Sequence, residues 1–215
     1  MASLSQFDDL IASRSLLRHP FYVAWSRGEL TLDDLRVYAK EYFQLARRVP
    51  AIVERVRERA LEREPALVDA IEHNLQEERE HTELWKRFAR SLGIPEEELL
   101  SYEPSAEVLD AVEGLVQGAE GTFEEAVATM YALERELPEI SQTKKEGLAR
   151  FYGLKSEDAH IYFDEHLQEA KHLSVWLAVD VSEEVGGAIE RSMQHQNAVL
   201  DAVCDVCGMR IDVPR

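Results

Sequence analysis

Glycine and proline punctuate this chain instead of pervading it. The ten glycines and seven prolines of the 215 residues are grouped at a few breaks, and between the breaks apolar residues recur every three or four positions. A β-rich fold needs turn residues roughly every 8–12 positions. This chain lacks that rhythm, and its spacing predicts long helices. Thr31 is a helix N-cap with Asp34 at the third position. Leu35, Tyr38, Tyr42, Leu45 and Val49 then line one apolar face until Pro50 closes or kinks the helix. A second helix follows over 51–62. Glu64-Pro65 opens a long helix to about residue 92, with Gly93 as its C-cap, and Pro95 starts a short helical turn. Ser105 caps a helix to about Val116, and Gly118 and Gly121 make a break. Thr122 caps another helix, with Pro138 inside it or at a kink. Gly153 ends the next piece. Ser156 starts a helix to about Val179, and a last helix covers 186–206. The expected fold is an all-α bundle of seven or eight helices, with residues 1–215 forming one domain.

Charge narrows the function classes. The 42 acidic residues outnumber the 24 Lys and Arg, for a net charge of −18. A nucleic-acid binder needs a basic face to displace counterions, and docking on anionic lipid needs one too; neither is expected. No run approaches the roughly 18 apolar residues of a membrane span. The first ten residues lack a signal-peptide pattern. Two cysteines cannot make a disulfide framework. These bounds point to a cytoplasmic domain.

Some of the carboxylates stand at ligand spacing. Glu78 precedes His81 by three residues, and Glu169 precedes His172 by three. Residues three apart share a helix face. Glu-x-x-His on two helices, joined by Glu residues from others, is how helical bundles hold two iron or manganese ions. Glu134 follows an apolar run, where a carboxylate is costly unless paired or metal-bound. Glu41, three residues after Tyr38, is a weaker candidate, because Tyr38, Tyr42 and Leu45 define the inward face. The second motif has a competitor in His166. At about 100° per residue, His166 and His172 lie roughly 120° apart, whereas Glu165, Glu169 and His172 span only about 60°. Regular helical geometry therefore prefers Glu165, and a π-bulge would restore His166. His19 reads as a helix-junction residue, and His73, His160 and His195 read as surface residues.

Several segments then resemble one family. They are His19-Pro20-Phe21-Tyr22-x-x-Trp25, Tyr38-Ala39-Lys40-Glu41-Tyr42-Phe43, Asn74-Leu75-Gln76-Glu77-Glu78 with His81, Tyr131-Ala132-Leu133-Glu134, and Tyr162-Phe163-Asp164-Glu165-His166. Together they are similar to the CADD-like family (Chlamydia protein associating with death domains), over residues of about 15 to 180. The resemblance implies a single-domain haem-oxygenase-like bundle of the TenA/PqqC type, with about seven helices, assembling as a homodimer. It implies an O2-dependent dinuclear-metal oxygenase (Fe/Fe or Fe/Mn) that uses an external reductant and forms p-aminobenzoate for folate biosynthesis. The ring would come from a tyrosine of the chain and the amino group from one of its lysines. The matching positions are Tyr22 and Lys144. The implied ligands are Glu78, His81, Glu134, His166 and His172, with Glu169 at the acidic position before the last histidine. Two departures stand out: His166-x2-Glu169-x2-His172 is one residue shorter than the family's spacing, and Leu133 stands where some members have tyrosine.

Other readings of the scaffold remain. One is a different di-iron oxidase. Another is a metal-free cofactor-biosynthesis enzyme of the TenA or PqqC type, which in the TenA case calls for a central nucleophilic cysteine. The third is an interaction module, which would leave the ligand set unexplained. Cys204-x2-Cys207 is either a redox pair supplying electrons or two unrelated thiols.

Overall fold

The computed structural model describes residues 3–168 and 170–209. Glu169 lies outside the described residues. The α-helical segments are α1 (Asp8–Ser13), α2 (Pro20–Arg27), α3 (Leu32–Glu41), α4 (Phe43–Ala46), α5 (Val49–Arg63), α6 (Val68–Ser91), α7 (Glu96–Ser101), α8 (Ala106–Gly118), α9 (Phe123–Glu134), α10 (Leu137–Arg150), α11 (Glu157–Glu165), α12 (Ala170–Leu177) and α13 (Gly186–Val206). The chain is all-α, as its periodicity requires. None of the described helices is long and apolar enough to cross a membrane.

The expected caps form. Thr31 with Asp34, and Thr122 with Glu125, make reciprocal capping boxes at α3 and α9, satisfying amides that a helix start leaves open. Gly93 follows α6 in the left-handed conformation (φ +81°) that only glycine adopts cheaply.

The differences from expectation lie at interruptions. Pro50 stands in the first turn of α5 and ends the helix before it from there. Its ring excludes the carbonyl four residues earlier, and α4 accordingly stops at Ala46. The same rule acts at Pro138, in the first turn of α10, and α9 stops at Glu134. Between α3 and α4, the Gln44 side-chain amide donates to the Lys40 carbonyl at 3.2 Å. The helix expected from Ser156 to Val179 is also divided. It stops at Glu165, passes through a 3-10 turn, His166–Gln168, and resumes at Ala170.

α13 packs along α8 and α9, α6 lies between α5 and α11, and α10 sits against α2 and the 3-10 turn. Two apolar clusters result. One gathers Ile52, Val56, Leu115, Val127, Met130 and Trp176. The other gathers Phe21, Trp25, Tyr38, Trp85, Phe88 and Phe163. Along α6 the buried stripe runs Ile71, Leu75, Glu78, His81, Trp85 and Phe88. Its apolar ends belong to different clusters, and its polar middle lies between them.

Glu41 is fully buried but serves the fold. Its carboxylate accepts from the Tyr102 hydroxyl at 2.6 Å, from the Ser105 amide at 3.2 Å and from the Ser105 hydroxyl at 3.1 Å. It thereby ties the end of α3 to the N-cap of α8. Glu41→Ala removes the acceptor for a buried amide and two hydroxyls. It should lower stability by about 2–3 kcal/mol in urea unfolding without changing metal content.

Candidate metal centre

Four elements bring the site together. α6 supplies Glu77, Glu78 and His81, the last residue of α9 is Glu134, the 3-10 turn supplies His166, and α12 supplies His172. Glu78, His81, Glu134, His166 and His172 are each buried to within 8% exposure. They form two triplets, Glu78–His81–His166 and Glu78–Glu134–His172, with ligand atoms in each within 4.8 Å of one another. Glu78 belongs to both. Its Oε1 is 3.3 Å from His81 Nδ1 and 3.7 Å from His172 Nδ1. His172 Nδ1 is 4.0 Å from Glu134 Oε1. The His81 and His166 rings are 4.4 Å apart at their centroids.

Burial opposes ionisation of Glu78. The hydrogen bond from His81 and the positive potential of His81, His166 and His172 outweigh it and hold the Glu78 carboxyl below its usual range. Two triplets of carboxylate and imidazole, sharing one carboxylate, suit a pair of ions such as iron or manganese, which accept both oxygen and nitrogen donors.

His166 and Glu165 are separated by a local competition. The Tyr162 carbonyl would ordinarily accept the His166 backbone amide; instead His166 Nδ1 lies 2.6 Å from it. The α-helix ends there, and the 3-10 turn advances each residue by about 120° instead of 100°. His166 is turned inward and buried, and Glu165 is exposed. The structure thus groups His166, not Glu165, with Glu78 and His81. Glu41, bound to Tyr102 and Ser105, stands outside both triplets. Glu169, an expected ligand, lies outside the described residues.

Two contacts had no sequence signal. Glu77 Oε2 is 2.7 Å from His172 Nε2, and Trp176 Nε1 donates to Glu134 Oε2 at 2.6 Å. A cavity of about 150 Å³, lined by Glu77, His81, Glu165, Gln168, Lys171 and His172, adjoins the site.

Tyr22 and Lys144 meet in a second buried cluster. Lys144 Nζ donates to the Tyr38 hydroxyl, whose oxygen is 3.4 Å from that of Tyr22. The amine lies 4.6 Å from the Tyr22 ring centroid, 4.9 Å from that of Tyr38, 5.1 Å from that of Tyr42 and 5.4 Å from that of Phe163. Burial drives the Lys144 amine well below its usual range and the Tyr22 phenol well above its own. Lys145, by contrast, pairs with Asp164 at the surface side. The two clusters are contiguous. Tyr42, pushed up to about 12 chiefly by burial, also feels the charge of Glu78. Trp85 packs on both Tyr42 and Tyr162, and Tyr162 lies 4.2 Å from the His166 ring.

The remaining candidates fall elsewhere. His19 caps α2 and its ring is 3.0 Å from Asp201. His73 is exposed, whereas His160 and His195 are half-buried, a correction to the surface reading; the His160 ring binds the Leu154 carbonyl at 2.8 Å. Cys204 and Cys207 are free thiols at the end of α13. Burial and nearby carboxylates push both up to about 12, so they carry little thiolate at neutral pH, as a nucleophile or a redox pair would need.

Comparison with known proteins agrees with the all-α fold. The sequence pattern of the TENA/THI-4/PQQC family matches residues 8–206. The 4-aminobenzoate synthase of Chlamydia trachomatis is 32% identical over 219 residues, covering 95% of this chain and 93% of that protein. A domain of unknown function with a haem-oxygenase-like fold from Shewanella denitrificans superposes with a TM-score of 0.83 at 18% identity, covering 97% of this chain and 94% of its own. A CADD-like protein of unknown function from Nostoc punctiforme superposes with a TM-score of 0.72 at 14% identity, covering 98% of this chain and 96% of its own.

Two outcomes follow from the site. His166→Ala should lose most of one bound ion per chain by elemental analysis after anaerobic iron loading, whereas Glu165→Ala should retain the parental content. Lys144→Met should be more stable than the parent near pH 7. The folded-state pKa of Lys144 is depressed, so between that value and about 10.5 the unfolded chain binds the extra proton, and parental stability rises with pH. The advantage of Lys144→Met in urea unfolding should therefore shrink as pH approaches 10.5; a margin independent of pH would mean that Lys144 is charged in the folded protein.

Proposed function

The chain belongs to the TENA/THI-4/PQQC family, and we propose that within it the protein is an O2-dependent p-aminobenzoate synthase with a dinuclear metal centre. Tyr22 supplies the ring and Lys144 the amino group. The relatedness to the chlamydial 4-aminobenzoate synthase over nearly the whole of both chains supports the product. The observation that carries the donor assignment is the Lys144 amine, buried 4.6 Å from the Tyr22 ring centroid.

An amine that forms a bond to carbon must present a lone pair. Burial favours the neutral form of Lys144, and among the described residues no carboxylate contributes to holding it charged. The rings of Tyr22, Tyr38, Tyr42 and Phe163 occupy the space around the amine, so the aromatic carbon nearest to it is the chain's own. Tyr38 is hydrogen-bonded to the amine and lies beside the Tyr22 hydroxyl. It holds both donors in one orientation and can hold a proton between them. Water is excluded, because Tyr22, Tyr38 and Lys144 are each no more than 3% exposed.

Glu78, His81, Glu134, His166 and His172, with Glu169 as a sixth ligand, would hold two iron ions or one iron and one manganese. These ions supply the redox chemistry that couples O2 reduction to oxidation of the ring, with an external reductant. Trp176 fixes one oxygen of Glu134 and leaves the other facing His172.

Expression of the parent should restore growth of a p-aminobenzoate auxotroph. Tyr22→Phe and Lys144→Arg should each abolish p-aminobenzoate formation while retaining helical circular dichroism and metal content. Because the donors belong to the chain, the parent should yield no more than about one product molecule per chain. Full activity in either variant would refute the donor assignment.

A further inference from the structure

We infer that Glu77 is a positioning residue that fixes the tautomer and orientation of His172, directing its Nδ1 at one of the two ions. This rests on the dinuclear-centre reading above. A neutral imidazole carries one N–H, and the nitrogen without it is the one that ligates. His172 Nε2 lies 2.7 Å from Glu77 Oε2. A carboxylate accepts, so the proton sits on Nε2 and the lone pair on Nδ1. That Nδ1 faces Glu78 Oε1 at 3.7 Å and Glu134 Oε1 at 4.0 Å. These separations are too long for hydrogen bonds, yet they keep the three donor atoms close enough to share one ion.

The backbone explains how one helix reaches both nitrogens. Glu77 and Glu78 are consecutive on α6, so their side chains leave the helix about 100° apart. One meets the ring of His172 at Nε2 and the other faces Nδ1. The free oxygen of Glu77 is itself engaged, with Oε1 3.5 Å from His73 Nε2. His166 has a parallel arrangement made with a different partner: its Nδ1 lies 2.6 Å from the Tyr162 carbonyl. A carboxylate partner makes its imidazole a stronger donor than a carbonyl does. The contribution of Glu77 therefore belongs to the Glu78–Glu134–His172 triplet and not to Glu78–His81–His166.

The test uses the full chain as the parent, Glu77→Gln and Glu77→Ala, titrated anaerobically with Mn(II). Free Mn(II) is read from its six-line electron paramagnetic resonance signal, and the metal-free proteins are unfolded in urea. The parent should take up two ions. Glu77→Ala should bind one of them about 10–100-fold more weakly with the other unchanged. Glu77→Gln, whose amide oxygen still accepts from Nε2–H, should fall between. Two ions bound at parental affinity in Glu77→Ala would overturn the inference while leaving the dinuclear centre intact. Equal weakening of both ions, accompanied by loss of metal-free stability, would also overturn it in favour of a general structural role. A parent that binds no ion would overturn the dinuclear reading and this inference together.

Discussion

Glu78 and Glu134 are carboxylates taken out of water inside a helical bundle, and most of the site follows from that cost. An isolated buried carboxylate loses several kcal/mol of hydration. The surrounding groups answer that loss. Glu78 lies among three imidazoles, and Glu134 takes the indole N–H of Trp176. On the buried face of α6 this polar middle is flanked by Ile71 and Leu75 on one side and Trp85 and Phe88 on the other, and two hydrophobic clusters close over it from either end. The same enclosure limits access. The cavity of about 150 Å³ beside His81 and His172 admits small molecules and little more.

Interrupted helices set the geometry. Pro50 and Pro138 displace the carbonyl partner four residues earlier, and Gln44 and the His166 ring engage such a carbonyl directly. Each interruption re-aims the chain without a long loop. One leaves Glu134 at the end of α9, and another turns His166 inward. An uninterrupted helix over 156–179 would have exposed His166 and favoured Glu165. Helix breaks in this protein are therefore part of how the carboxylate–histidine cluster is assembled.

The cluster of Tyr22, Tyr38 and Lys144 depends on the same packing by a different route. Lys144 is desolvated by aromatic rings and by the closeness of α10 to α2, where Trp25 Nε1 donates to the Lys144 carbonyl at 3.1 Å. Two kinds of burial thus lie side by side. Near Glu78, the carboxylate is favoured because the imidazoles of His81, His166 and His172 surround it. Around Lys144, charge is disfavoured because among the described residues no carboxylate offsets the loss of water. A reaction between an amine and a ring needs the second environment, and metal binding needs the first. Tyr42 and Trp85 join them.

The all-α class, the caps at Thr31, Ser105 and Thr122, and the pairing of Glu78 with His81 are legible in the amino-acid sequence. These depend on residues three or four positions apart, which any helix places on one face. Glu134 was also legible, because a carboxylate ending an apolar run demands a partner. Tertiary structure alone decided the rest. Glu77 meets His172 across 95 positions, Trp176 meets Glu134 across 42, and Lys144 meets Tyr38 across 106. Glu41, equally buried, is committed to Tyr102 and Ser105 instead. Periodicity encodes which face of a helix is inward, but not which other face it will meet. Only the packing of helices on one another specifies that, and with it which carboxylates gather around histidine.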